Sequence, residues 1–359
     1  MPPEHGRRLA GTLPNARLVE IPDSYALVPL DQPTALARAL SVFLSATVPP
    51  TAADGRHPLA AAWLSVMKKH VRKPLPKGLG FMDDKLHFAV DLYQGTAEYY
   101  DRYRLPYPEA MIEDLITRTG VSGHGVSAQG RLLDLACGTG QLAFPLRRFF
   151  AEVWAVDREP DFAQMVQAKA DNLGAGNIRP VTADAETLDA EPGHFELAVI
   201  GNAFHRLDRD LVAARLLHWL QPGGCVALCW SDAPHLGDRE WQRALAALLD
   251  RWQTALGATD RVPANWAEPQ RRRPDAQVLS EAGFETAGHW EFPVEHRWSL
   301  AELAGYVRST SFLPPSVLGD QGAAFDDDLA AAIGPFAAAD GTFPHDMGFV
   351  YDLARKPTD

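Results

Sequence analysis

The residues best suited to chemistry fall in four short stretches of this 359-residue chain. The first is Asp134-Leu-Ala-Cys-Gly-Thr-Gly140, set directly after an apolar β-prone run and directly before a helix-prone one. Gly138 and Gly140 let the backbone turn sharply and let a ligand come close. The start of the following helix offers N–H groups to a polar ligand. The spacing Asp-x-x-x-Gly-x-Gly is not Gly-x-Gly-x-x-Gly, so the dinucleotide fingerprint fails. A tight strand-to-helix turn with no ligand is the plainer alternative. The second stretch is Asp157, which closes Val153-Trp-Ala-Val-Asp157. A carboxylate at a strand end can accept from both hydroxyls of a ribose, or it can cap the next helix. The third is Ala183-Asp184-Ala185-Glu186. Its carboxylates can accept from an exocyclic adenine amine and its backbone N–H can meet a ring nitrogen; taken alone it is an ordinary polar loop. The fourth is His205 in Asn202-Ala-Phe-His-Arg206. His205 could act as a general base toward a hydroxyl or an amine, or only shape a pocket.

These stretches need a scaffold that brings strand ends together. Arg131–Leu135, Val153–Val156, Ile178–Thr182, Leu197–Ile200 and Val226–Trp230 read as strands. Leu142–Phe150, Asp161–Leu173 and Leu207–Leu220 read as the helices between them, the last ended by Gln221-Pro-Gly-Gly224. Alternation of this kind implies a parallel sheet covered on both faces. Upstream, Asp83–Tyr100 and Pro108–Thr119 read as helices around an aromatic cluster that includes Tyr93, Tyr99, Tyr100, Tyr103 and Tyr107. Downstream, Trp241, Leu245, Leu248, Leu249 and Trp252 share one helix face, which either covers a cavity or packs in the core. Ala276–Ala282 and Asp326–Phe336 read as helices, and Ser299 with Glu302 forms a capping box. Thr286–Val294 and Met347–Ala354 read as strands.

Asp134 to Gly140, Asp157, Asp184-Ala185 and Gln221-Pro-Gly-Gly224 together resemble the class I S-adenosylmethionine-dependent methyltransferases, and most nearly their type 11 branch. The resemblance covers roughly residues 85 to 355. It implies a Rossmann-like α/β fold with a seven-stranded, mostly parallel sheet ordered 3-2-1-4-5-7-6, helices on both faces, a helical lid and an N-terminal extension. It implies S-adenosyl-L-methionine as cofactor. Asp134, Gly138 and Gly140 would line its methionine part, with Ala136 in the same loop. Asp157 would hold the ribose, with Arg158 beside it. Asp184 and Ala185 would hold the adenine, and Asn202 would lie beneath the cofactor. Tyr93 and Tyr99 either pack or close over the sulfonium, whose charge an aromatic face stabilises. Arg104 would pair with the cofactor carboxylate or with a surface acid. His205 stands where this branch frequently has a histidine.

Composition narrows the partners. Hydrophobic residues make up 46% and charged residues 22%, so a sizeable core can form. The net charge of −12 argues against nucleic acid as a partner. A small-molecule substrate is expected instead, walled by aromatic side chains. No apolar stretch approaches the length of a membrane span. The first residues lack the apolar segment of a signal peptide, and three cysteines make no disulfide framework. A cytoplasmic protein is expected. A nicotinamide-dependent oxidoreductase is disfavoured by the missing third glycine. A catalytically silent cofactor-binding module or partner subunit is the alternative to the enzyme.

The N-terminus is unlike the rest. Residues 7–45, through Ala16-Arg-Leu-Val-Glu-Ile-Pro22 and Pro29-Leu-Asp-Gln-Pro33, resemble the last strand and helix of α/β-hydrolases. The catalytic histidine of that family would fall at Ala26, and no Gly-x-Ser-x-Gly elbow occurs, so no hydrolysis is implied. The division expected is a hydrolase-like remnant over 1–50 and a linker with a short helix over 51–80. A helical lid over 81–130, a cofactor-binding core over 131–230 and a substrate-side lid with the last two strands over 231–359 follow. The N-terminal extension could pair with a second copy to give a homo-oligomer.

Overall fold

A computed structural model describes residues 88–89, 91–121 and 129–358. The chain divides into two compact units, Met1–Gly80 and Phe81–Asp359, and every described residue belongs to the second. The hydrolase-like remnant and the linker therefore lie outside the described residues.

The sheet has seven strands: β1 (Arg131–Leu135), β2 (Glu152–Asp157), β3 (Ile178–Thr182), β4 (Phe195–Gly201), β5 (Leu220–Ser231), β6 (Glu285–Trp298) and β7 (Phe343–Arg355). Their order is 3-2-1-4-5-7-6, as expected. Strands β1 to β5 run parallel, and β7 lies antiparallel between β5 and β6. Side chains alternate across a strand, so neighbours in β1 enter different cores. Leu132 packs with Val153, Leu197 and Ala227 on one face. Leu133 packs with Val156, Ala198 and Val226 on the other. Both faces being covered, the central strands read as continuous apolar runs.

The helices are α1 (Ala97–Tyr103), α2 (Glu109–Thr119), α3 (Ala143–Leu146), α4 (Pro160–Leu173), α5 (Arg209–Trp219), α6 (Glu240–Ala255), α7 (Glu268–Arg272), α8 (Asp275–Ala282), α9 (Leu300–Arg308), α10 (Pro315–Leu318) and α11 (Gly322–Ile333). Several elements depart from expectation. The stretch before α1 is a run of turns with Gly95 at φ +74°, so the helix begins later and ends later than Asp83–Tyr100. The helix after the glycine loop stops at Leu146 and continues as one 3₁₀ turn, Arg147–Phe149. Gln221-Pro-Gly-Gly224 does not end a helix but lies inside β5, where the pairing with β4 shifts register between Phe195 and Leu197. β6 and β7 are longer than the runs that flagged them, and they pair from Glu285 opposite Arg355 to Trp298 opposite Phe343.

The Trp-rich helix α6 packs as core. Trp241 donates to the Pro344 carbonyl at 3.2 Å and Trp252 donates to Asp328 at 3.1 Å on α11. Neither tryptophan reaches a cavity described below. Cys137, Cys225 and Cys229 are free and buried, and burial pushes all three thiols up.

Candidate functional site

Two cavities open at the carboxyl ends of the parallel strands, the place where open α/β sheets hold ligands. The larger, about 150 Å³, is lined by Tyr93, Gly138, Asp157, Arg158, Asp184 and Ala185, among others. The smaller, about 30 Å³, takes Arg104, Asp134, Asp232, Trp298, Tyr306 and Met347, among others. Four residues line both: Tyr100, Ala136, Gly201 and Asn202. Ala136 (φ 57°) and Asn202 (φ 50°) are also the two non-glycine residues with positive φ among the described residues. Left-handed backbone is disfavoured for residues with a Cβ, and such strain gathers at ligand sites. Here it lies in the wall between the cavities.

The glycine loop is held from below by two carboxylates. Asp157 sits at the end of β2, buried, and each of its oxygens takes one backbone N–H: Oδ2 from Gly138 at 2.8 Å and Oδ1 from Glu159 at 3.0 Å. Asp134 is the last residue but one of β1, and its Oδ2 accepts from the Ala143 N–H at 2.8 Å. That N–H opens α3, so the helix start is capped from within the loop rather than left for a ligand. Asp134 Oδ1 is buried with no partner. Burial, with Asp157 nearby, pushes the Asp134 carboxyl up to about 7. Burial raises the Asp157 carboxyl as well.

At the rim of the larger cavity Arg158 lies 3.6 Å from Asp184. Arg206 lies over the Tyr93 ring at 4.9 Å, and its Nη1 is buried without a partner. Gly140 lines neither cavity: it has φ +83°, and a Cβ there would fall 2.8 Å from the Phe144 ring. It is a packing glycine. The stretch that carries Tyr93 is fastened from a distance. Arg261 bonds both oxygens of Asp91 at 3.2 and 3.3 Å, the Asp91 carbonyl at 3.0 Å and the Ser311 carbonyl at 3.1 Å.

The smaller cavity is aromatic and charged. Arg104 bonds the Ser309 hydroxyl at 2.8 Å and the Tyr306 hydroxyl at 3.1 Å, with its guanidinium over the rings of Tyr306 and Tyr100. It does not pair with a surface acid. Burial pushes the Tyr100 hydroxyl up to about 12, so it stays neutral. Asn202 clamps β5: Nδ2 donates to the Ser231 hydroxyl at 2.8 Å, and Oδ1 accepts from the Ser231 N–H at 3.2 Å.

Besides Gly140, two residues picked from sequence lie elsewhere. His205 lines neither cavity. Its ring lies between those of Trp230 and Trp266, at 5.5 and 5.1 Å, and its Nδ1 is buried without a partner. Burial, then Arg206 and Arg209, holds it down to about 3, so it is neutral at ordinary pH. Tyr99 stacks on Tyr103 at 6.1 Å instead of facing a cavity. The reason is helical phase. Tyr99 and Tyr103 share one face of α1, while Tyr100 and Arg104, also four apart, share the face toward the site. Asp232, Tyr306 and Met347, which sequence reasoning did not pick as site residues, converge on the smaller cavity from far apart in the chain, beside Trp298 of the stretch that resembles the family's substrate-side tail.

Residues 132–224 match the model of a methyltransferase domain. The chain is 31% identical over 185 residues to methyltransferase-like protein 27 of Homo sapiens, a match spanning 50% of this chain and 69% of that one. It is 27% identical over 220 residues to the ubiquinone/menaquinone biosynthesis C-methyltransferase of Pseudoalteromonas translucida, over 56% and 85% of the two chains. It spans little more than half, 56%, of an uncharacterized methyltransferase of Mycobacterium bovis, at 28% identity. Among solved structures, the YcgJ protein of Bacillus subtilis aligns with a TM-score of 0.42 and 15% identity, over 70% of this chain and 99% of that one.

Proposed function

The chain belongs to the S-adenosylmethionine-dependent methyltransferases, and we propose that it transfers the methyl group to a small-molecule acceptor by in-line displacement. The observation that carries this reading is the pair of cavities sharing one strained wall. One cavity suits the adenosine half of the cofactor, and the wall suits the reacting carbon.

The residues present fit the cofactor. A carboxylate has about four lone-pair sites, and Asp157 spends one per oxygen on backbone N–H groups. The Arg158 N–H also bears on this carboxylate, and the acceptor capacity left over would meet the ribose. Asp184 and Ala185, on the same cavity, would hold the adenine, with Arg158 at the rim. Gly138 lets the ligand approach the loop. The unpartnered Oδ1 of Asp134 would accept from the amino group of the methionine end. Arg104, without a counter-charge among its bonds, would meet an anionic group there. Tyr93 and Tyr100 present aromatic surface near the wall. S-adenosylmethionine supplies a methyl carbon activated by its bond to a sulfonium sulfur. The chain then has to align the acceptor and exclude water, which is where proximity does most of the work. In this scheme His205 holds the 202–206 turn between two tryptophans and moves no proton.

A second reading, cofactor binding without transfer, is favoured by the size of the smaller cavity, which has room for about two waters. Calorimetric titration with S-adenosylmethionine, beside NAD, on wild type and Asp157→Ala tests the cofactor. Folded wild type that ignores S-adenosylmethionine would end the proposal. Transfer of labelled methyl to an added acceptor separates enzyme from silent module.

A further inference from the structure

Among the residues of the smaller cavity one carboxylate has no part in holding the glycine loop. Asp232 lies just past the carboxyl end of β5, as Asn202 lies just past that of β4. It lines the smaller cavity and not the larger. Its backbone is fixed to β7 by its N–H to the Gly348 carbonyl at 2.9 Å. Its Oδ2 accepts from the Gly348 N–H at 2.7 Å. A Cβ at position 348 would fall 2.7 Å from Asp232 Oδ2, so a larger residue there would push the carboxylate aside. The residue before it, Ser231, is gripped on both hydroxyl and N–H by Asn202 of the shared wall. Among the described residues no donor is bonded to Oδ1. Asp232 is exposed and lines the cavity mouth, so a carboxylate anchored through one oxygen can turn the other to a donor that enters there and can pass a proton on to water.

We infer that Asp232 is the catalytic residue that receives the acceptor's proton, and that the acceptor therefore presents an O–H or N–H group rather than a bare carbon. This deepens the methyltransferase reading and rests on it. In the step, the acceptor oxygen or nitrogen forms a bond to the methyl carbon. The bond from that carbon to sulfur breaks, and its electron pair goes to sulfur. The acceptor's proton passes to Asp232 Oδ1 and then to solvent. His205, neutral but away from the cavities, is not needed. A carboxylate hydrogen-bonds O–H or N–H before the reaction and has no such hold on C–H.

The test uses the full chain with phenol, catechol, benzylamine and the carbon acid acetylacetone as probes, with labelled S-adenosylmethionine. Asp232→Asn keeps the shape and can still accept from Gly348. It should bind S-adenosylmethionine as wild type does while kcat toward the O–H or N–H probes falls about 100-fold or more, with KM little changed. Gly348→Ala, which pushes on the same carboxylate, should lower kcat in the same direction without touching the base itself. Equal turnover by Asp232→Asn would overturn the inference. So would methylation of acetylacetone alone, or a wild type that binds the cofactor and methylates none of the O–H and N–H probes. A wild type that fails to bind S-adenosylmethionine would overturn the methyltransferase reading itself, a separate result.

Discussion

The larger cavity is built mainly from loops that follow successive strands, between Phe88 and Leu207. The smaller one draws Tyr100 and Arg104 from one end of the described chain and Trp298, Tyr306 and Met347 from the other, with Asp232 between. The first is a product of local order: a strand, a turn, a helix, repeated. The second exists only after the antiparallel β6–β7 pair has closed the sheet. Long-range assembly of this kind carries the greater loop-closure cost and leaves less trace in any one stretch of sequence.

The difference can be probed from the largest effect downward. Arg209 of α5 pairs with Asp275 at 2.8 Å, with side chains only 11% and 5% exposed, and also bonds the carbonyls of Arg273 and Pro269. Arg209→Ala leaves a buried carboxylate behind and should lower unfolding stability by about 3–5 kcal/mol in urea titration. Cofactor affinity, set by the local cavity, should change little by comparison. If affinity falls as far as stability does, the two regions are not separable.

Asp157→Ala strikes the local cavity directly. It removes charge-assisted acceptors and the tether of the Gly138 N–H. Cofactor affinity measured by calorimetry should fall by about 3 kcal/mol, roughly 100-fold. A loss below about threefold would deny Asp157 its place.

Asp134→Asn should act on stability, through pH. Burial lifts the Asp134 carboxyl to about 7 in the folded protein, against about 3.9 when unfolded. Between those values the folded chain keeps a proton that the unfolded chain has lost. Stability therefore falls as pH rises from about 4 to about 7 and is level above. Asn cannot ionise and can still accept from Ala143. Without cofactor, Asp134→Asn should be more stable than wild type at pH 8 by roughly 1–3 kcal/mol, with a flatter profile of Tm against pH. The remaining slope belongs in part to Asp157, whose carboxyl is also raised. A Tm at pH 8 below that of wild type would show Asp134 stabilised as a carboxylate.

The smallest change concerns the shared wall. Ala136→Gly relieves a Cβ at φ 57° but loosens the unfolded chain, so stability should rise by no more than about 1 kcal/mol. A clear loss would mean that the methyl group packs more than it strains.

How much of this could be read without coordinates follows the same divide. Asp134 and Asp157 were legible because each lies in or at the end of an apolar run of strand length, whereas the sheet order came only with the family resemblance those motifs carry. Asp184 and Ala185 were legible for the same reason as Asp134 and Asp157. Tyr100 was within reach. Its spacing of four from Arg104 places both on one helix face, but the helix was expected to end at Tyr100, and the phase was lost. His205 stood where a pocket residue belongs, yet Trp266, more than a strand and a helix away, captures its ring. Nothing local announces that. Asp232 reads as one more loop acid until Gly348 arrives from β7 to bind it.

The strained wall also sets which parts of the site can drift over generations. A residue at 136 or 202 must tolerate left-handed backbone, which leaves mainly glycine, asparagine and aspartate as replacements. Leu105, Trp298 and Met347, which line the smaller cavity and not the larger, carry no such constraint. Descendants of this chain that take new acceptors should differ there first, while the partition at Ala136 and Asn202 stays nearly fixed.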